Sequence, residues 1–131
     1  MRINKLLIDK IFEQGRAEAP VEACGYLVGK DSFAVNIYPM KNIDQSSEHF
    51  SLDPKEQFSI IRKARQEGLD ILAVYHTHPE TPARPSDEDI KLAYDPNIIY
   101  VIASLAQGTK SIKAFRIIKG NVSEEILIIE G

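Results

Sequence analysis

The spacing of apolar and polar positions divides the chain into short alternating segments. Leu6, Leu7, Ile11 and Phe12 recur near the helical interval with Asp9, Lys10 and Glu13 between them, which predicts an amphipathic helix ending around residues 15–20. Strands should follow. The run ACGYLVG, residues 23–29, is short, apolar and closed by glycine, and residues 33–40 keep a strand-like composition, so the two are expected to form a hairpin turning at Lys30-Asp31. Residues 41–51 are polar and read as a loop. A second helix is expected after Asp53, with Asp53 as N-cap, Pro54 at its first position and Glu56 reaching back as a capping-box acid. Its apolar stripe would be Phe58, Ile61 and Ala64, up to Gly68.

ILAVY, residues 71–75, is apolar at every position, the pattern of a strand covered on both faces and therefore central in its sheet. A short helix is expected over 87–94 and further strands over 98–105, 111–118 and 121–129, with turns at Gln107-Gly108 and Lys119-Gly120. Helices and strands mixed in this way, over 131 residues, predict a single α/β domain spanning 1–131, built as a mixed sheet flanked by helices.

Composition removes several function classes. With 16 basic and 19 acidic side chains the net charge is −3, so no basic surplus points to nucleic acid. The first fifteen residues, MRINKLLIDKIFEQG, break their apolar run with charges, and they predict neither a signal peptide nor a membrane span. Cys24 is the single cysteine, which excludes an intrachain disulfide and favours a reducing, cytoplasmic setting.

The chemistry concentrates in HTHPETPARPSDED, residues 76–89. In an extended chain side chains alternate, so His76 and His78 point one way and Thr77 the other. Two converging imidazoles make a partial site for a divalent ion, which needs at least one more protein ligand and, for catalysis, a position left for water. Three prolines in residues 79–85 stiffen the loop that turns the chain back, and Asp89 is placed to supply the third ligand. Ser86 and Asp89 equally suit a helix N-terminus as N-cap and capping-box acid, and the two roles are compatible. Taken alone, H-x-H leaves open a pair of hydrogen-bonded structural histidines.

His76-Thr77-His78, seven residues, Ser86, two residues and Asp89 resemble the H-[ST]-H-x7-S-x2-D signature of the JAMM/MPN+ metallopeptidases at every defining position. Glu22, leading into ACGYLVG, is similar to that family's upstream glutamate element. The resemblance implies a JAMM/MPN domain, similar to the cytidine deaminase-like fold. It implies one Zn²⁺ per chain held by His76, His78 and Asp89, a water at the open position, Glu22 as general base and Ser86 as donor to the tetrahedral intermediate. The implied activity is that of a zinc-dependent peptidase or isopeptidase acting at the C-terminal tail of a ubiquitin-like or sulfur-carrier protein. The alternatives are a non-catalytic MPN-type scaffold or binding subunit and a small-molecule amidase.

Other residues carry weaker readings. Cys24 is either a small buried hydrophobe or an extra ligand, His49 either solvated or in contact with substrate, and Arg84 a candidate partner for a substrate carboxylate. Glu80 and Glu88 read as hydrated charges. Amidohydrolase barrels also carry H-x-H but need about 250 residues, and a cupin-like site expects further histidines in an all-β chain.

Overall fold

The structure, a computed structural model, describes residues 1–106 and 111–131. Among the described residues three helices and eight strands follow one another as β1 (Arg2–Asn4), α1 (Lys5–Glu18), β2 (Cys24–Lys30), β3 (Phe33–Met40), α2 (Pro54–Gln66), β4 (Asp70–His78), α3 (Asp87–Lys91), β5 (Ile99–Ser104), β6 (Ser111–Ile118), β7 (Asn121–Glu125) and β8 (Ile128–Glu130). The strands form one sheet in the order β7-β6-β5-β4-β2-β3-β1-β8. It is mixed: β4 runs antiparallel to β2 and parallel to β5. As its unbroken apolar run requires, β4 lies in the interior of the sheet. β7 and β8 occupy opposite edges, yet only Ile126 and Leu127 separate them. Three Cα steps reach about 11 Å at most, so the sheet curls until its edges nearly meet. The curl is pinned where Ile128 N donates to Met1 O at 2.9 Å and the Met1 ammonium donates to Ile126 O at 2.8 Å.

Each face of the sheet carries its own core. On one, α1 packs Leu7, Ile8, Ile11 and Phe12 against Leu27, Ala73, Tyr75 and Val101. On the other, Ile60 of α2 packs with Cys24, Tyr26, Met40 and Val74. Burying each large aliphatic side chain contributes about 1.5–3 kcal/mol. α1 can lie close because Gly15 carries no Cβ: one added there would stand 2.9 Å from Thr77 Cγ2 and 3.3 Å from Leu105 Cδ1. Gly25 is constrained in the same way, since a Cβ would collide with Tyr38 O and with the Tyr75 ring.

Several expectations need correction. β1 was not anticipated, because three residues are too few to show a period of two. The expected final strand over 121–129 is broken at Ile126-Leu127, its second half crossing to pair with β1. The hairpin turn falls one residue later than Lys30-Asp31, at Asp31 and Ser32, both with positive φ (50° and 62°). The Lys119-Gly120 turn is where it was expected, again with both φ positive, as a two-residue type I′ hairpin requires. The third helix stops at Lys91, short of the expected residue 94, and β5 starts at Ile99. Asp53 caps α2, its side chain accepting from Lys55 N at 3.0 Å. Glu56 does not reach back to it: its carboxylate accepts from Lys41 N across the loop. Phe58 is 69% exposed, and Ile60 and Ala64 are the buried positions of α2. The expected turn at Gln107-Gly108 lies outside the described residues. Among the described residues no helix is long and apolar enough to cross a membrane.

Candidate metal centre

β4 builds the site by simple alternation. Ala73 and Tyr75 face α1, and Val74, His76 and His78 face the opposite side, where the apolar cluster gives way to polar groups. Thr77, at the parity of Tyr75, is fully buried and uses its hydroxyl to accept from Ala23 N at 2.9 Å. Thr77 N also donates to Ala23 O at 2.9 Å, so the segment carrying Glu22 is tied to the strand carrying both histidines.

The proline-rich loop then returns to the strand end. Ser104 Oγ donates to Thr81 O at 2.6 Å, and Ala83 is buried beside Ile102. His78 Nδ1 lies 2.8 Å from Pro82 O. A carbonyl can only accept, so Nδ1 carries the hydrogen and Nε2 of the neutral ring offers its lone pair to the site. α3 begins with a capping box in which Ser86 Oγ accepts from Asp89 N at 3.1 Å and Asp89 Oδ2 accepts from Ser86 N at 2.9 Å. This fixes the Asp89 carboxylate, and leaves the Ser86 hydroxyl its own proton to donate.

His76 Nε2, His78 Nε2 and Asp89 Oδ2 form a triangle with sides of 3.1, 3.2 and 3.0 Å. Neutral imidazoles and a carboxylate would bring three lone pairs to one point, which a low-dielectric interior penalises unless a cation shares them. Ligands about 2.0–2.1 Å from a tetrahedral zinc stand about 3.3 Å apart, close to the observed sides. The donor set therefore fits a divalent ion. Protonation is the alternative, and the shifts follow from it. Burial opposes charge on Asp89, but hydrogen bonds to both imidazoles outweigh it and hold the carboxyl far below its usual range. Burial also opposes charge on His78, yet Asp89 and the Pro82 carbonyl raise its pKa, whereas burial dominates at His76 and lowers it. The His76 ring is covered by Phe50, stacked at 4.8 Å between centroids.

Glu22 enters from the segment before β2. It is 2% exposed, its Oε1 is buried with no hydrogen-bond partner among the described residues, and burial pushes its pKa up to about 8. The charges of His78 and Asp89 reach it with opposite effects. A carboxyl group so placed exchanges a proton near neutrality.

Asn42 is the residue that motif reading missed. It is fully buried, and its amide nitrogen is shared among Glu22 O (3.1 Å), His49 O (3.0 Å) and Ser46 O (3.4 Å). Its Oδ1 accepts from Asp44 N and Ser51 N. Since Ser46 O accepts from Glu22 N at 2.8 Å, the loop of residues 41–53 grips both backbone groups of Glu22 and also delivers Phe50 to His76. No spacing rule marks Asn42; the turn-forming run Lys41-Asn42-Ile43-Asp44 was the available hint.

The other candidates lie apart from the triangle. His49 Nδ1 is 3.0 Å from Asp44 Oδ2 within its own loop, and Glu80, Arg84 and Glu88 are exposed. Cys24 is fully buried with its thiol pushed up to about 12 by burial, the state of a packing group rather than a thiolate ligand.

Three acceptors converge on one point in a set that suits a divalent ion, and Glu22 Oε1 is buried without a partner among the described residues. A family model described as prokaryotic homologs of the JAB domain matches residues 4–118. The CysO-cysteine peptidase of Mycobacterium bovis is 32% identical over 122 residues, covering 91% of this chain and 84% of that protein. A probable TtuB-protein conjugate cleaving protease of Thermus thermophilus is 34% identical over 115 residues, 84% of this chain and 74% of that one. The solution structure of DSY2949 from Desulfitobacterium hafniense superposes with a TM-score of 0.90 at 41% identity, covering 99% of this chain and 93% of that one. The chain belongs to the JAB/MPN family in its prokaryotic branch, among relatives named as peptidases.

Proposed function

We propose that this chain, acting as one domain over residues 1–131, is a zinc-dependent peptidase or isopeptidase that cuts at the C-terminal tail of a ubiquitin-like, sulfur-carrier-type protein. The observation that carries the proposal is the His76, His78 and Asp89 triangle together with Glu22, which feels the charges of His78 and Asp89 and whose Oε1 is buried without a partner among the described residues. The substrate class rests on two relatives, a CysO-cysteine peptidase and a probable protease for TtuB conjugates. The buried, neutral thiol of Cys24 is consistent with a cytoplasmic setting.

In this reading His76, His78 and Asp89 hold the ion. Zinc would supply Lewis acidity and lower the pKa of a water to about 7. Glu22 takes the proton from the attacking water and hands it to the departing nitrogen, its burial favouring the protonated form that the second step needs. Ser86, whose oxygen already accepts from Asp89 N, donates its own proton toward the negative charge developing on the attacked carbonyl oxygen.

The test is a purified chain assayed for zinc by elemental analysis and for hydrolysis of a ubiquitin-like carrier bearing an extended tail. One zinc per chain is expected, with Glu22→Ala retaining the metal and losing about 10³-fold in turnover. Undiminished turnover in Glu22→Ala rejects the base. A zinc-loaded chain that cleaves nothing would favour a scaffold, and short amino-acid conjugates cleaved as fast as the carrier would favour an amidase.

A further inference from the structure

Two imidazoles from one strand reach the triangle, and they are held in different ways. His78 Nδ1 lies 2.8 Å from Pro82 O, the kind of hydrogen bond that ordinarily fixes the tautomer and the ring angle of a histidine ligand. His76 Nδ1 is buried and has no such partner among the described residues. Its ring meets Phe50 instead, with centroids 4.8 Å apart and planes inclined by 28°. A stacked neighbour fixes the plane of a ring that no hydrogen bond turns.

Phe50 stands on a loop rather than on a helix or strand, so something must hold it in turn. Asp44 does so from both sides. Its Oδ2 accepts from His49 Nδ1 at 3.0 Å and from Ser51 Oγ at 2.6 Å, the two residues that flank Phe50. The Phe50 side chain between them packs against the apolar cluster of Cys24, Tyr26, Met40, Ile60 and Val74. A stack of equal strength in the metal-free and metal-bound states would shift no equilibrium. This one is unequal for two reasons. It holds the free ring near the orientation in which His76 Nε2 faces the triangle, so less freedom is lost when an ion arrives. A ring that shares its lone pair with a cation also becomes more positive, and is drawn more strongly to the face of its aromatic neighbour.

We infer that Phe50 is the positioning residue of His76, an aromatic wall that orients this imidazole where a hydrogen bond orients the other, and that it raises the affinity of the triangle for a divalent ion. The inference rests on the metal reading of the triangle and adds to it a residue outside the ligand set.

The experiment is competition for Zn²⁺ between the full chain and a chromophoric chelator. Phe50→Ala should weaken binding about 10- to 100-fold, while Phe50→Tyr, which keeps the flat face, should stay within about twofold of the parent. Phe50→Leu keeps apolar cover without a flat face, and should bind distinctly more weakly than Phe50→Tyr. With Co²⁺ in the site, the ligand-field absorption bands should shift and broaden in Phe50→Ala and stay at the parent positions in Phe50→Tyr. Equal zinc affinity in the parent and Phe50→Ala overturns the inference, even if the melting temperature of the metal-free variant falls, because that is the mark of a packing residue. Phe50→Leu binding as tightly as Phe50→Tyr overturns it as well, since apolar cover alone would then suffice. If the parent takes up neither ion, the metal reading itself fails, and the metal-free chain still decides what orients His76. Carbon relaxation at the His76 ring should then give an order parameter of about 0.85 in the parent and below about 0.6 in Phe50→Ala. Equal values overturn the positioning role.

Discussion

The two faces of β4 are built from interleaved residues of one strand and do opposite work. Ala73, Tyr75 and Thr77 meet α1 in a continuous apolar core in which even the threonine spends its hydroxyl on a backbone amide. Val74, His76 and His78 begin in the α2 cluster and end in a triangle of lone pairs. One face lowers free energy by excluding water. The other leaves His76 Nδ1 buried without a hydrogen-bond partner among the described residues, at a cost of about 1–3 kcal/mol for such a group. A single strand can therefore carry both, provided the packing face over-determines the backbone that the other face needs held still.

The largest expected effect comes from separating the faces by mutation. Asp89→Ala should abolish metal retention and turnover, yet melt within a few degrees of the parent when both are metal-free. Leu27→Ala, on the α1 face, should cost about 3 kcal/mol, roughly 10 °C in melting temperature, and keep one metal per chain below that temperature. Elemental analysis and calorimetry on both variants check this, and a metal-free Leu27→Ala at low temperature would show that the faces are not separable.

A smaller effect probes the loop between them. Asn42→Ala strips the donor from the Glu22, Ser46 and His49 carbonyls, so turnover should fall about 10- to 100-fold, chiefly in kcat, with KM and zinc content near the parent values. A change confined to stability would show that Asn42 only holds the loop shut.

The smallest concerns Cys24, which has the parity of Glu22 but packs in the apolar cluster. With its pKa pushed up to about 12 the thiol stays protonated at pH 8, leaving a thiolate fraction of about 10⁻⁴. Alkylation by iodoacetamide should be negligible until denaturant is added. The sign of the linkage follows: above about pH 8.5 the unfolded thiol ionises and the folded one does not, so Cys24 lowers stability as pH rises. Rapid labelling of the native protein would place the polar boundary one residue pair deeper into the sheet.

What the sequence made legible was local. The H-x-H parity follows from strand geometry, and the capping box of Ser86 and Asp89 follows from helix termini. Both needed only residues near one another in the chain. The unbroken apolar run of residues 71–75 was enough to place β4 inside the sheet. What escaped depends on distant partners. β1 and β8 are three residues each and are held by one another and by β3, so neither shows a period of its own. Phe58 looked like a core position because helical spacing admits more than one stripe; the face that meets the sheet is set by Ile60 and Ala64. Glu56 left its expected cap because Lys41 N, fifteen residues away, competes for it. Asn42 is an ordinary loop asparagine until folding surrounds it with carbonyls.

Asp89 Oδ2 closes the N-terminal turn of α3 and also forms one corner of the triangle. A helix of five residues has little cooperativity of its own, so under the proposed metal binding its order and the occupancy of the ion would be coupled through Asp89. Chelation would be felt at the Ser86 amide as faster hydrogen exchange, and anything that unwinds α3 would loosen the grip on the ion by the same free energy.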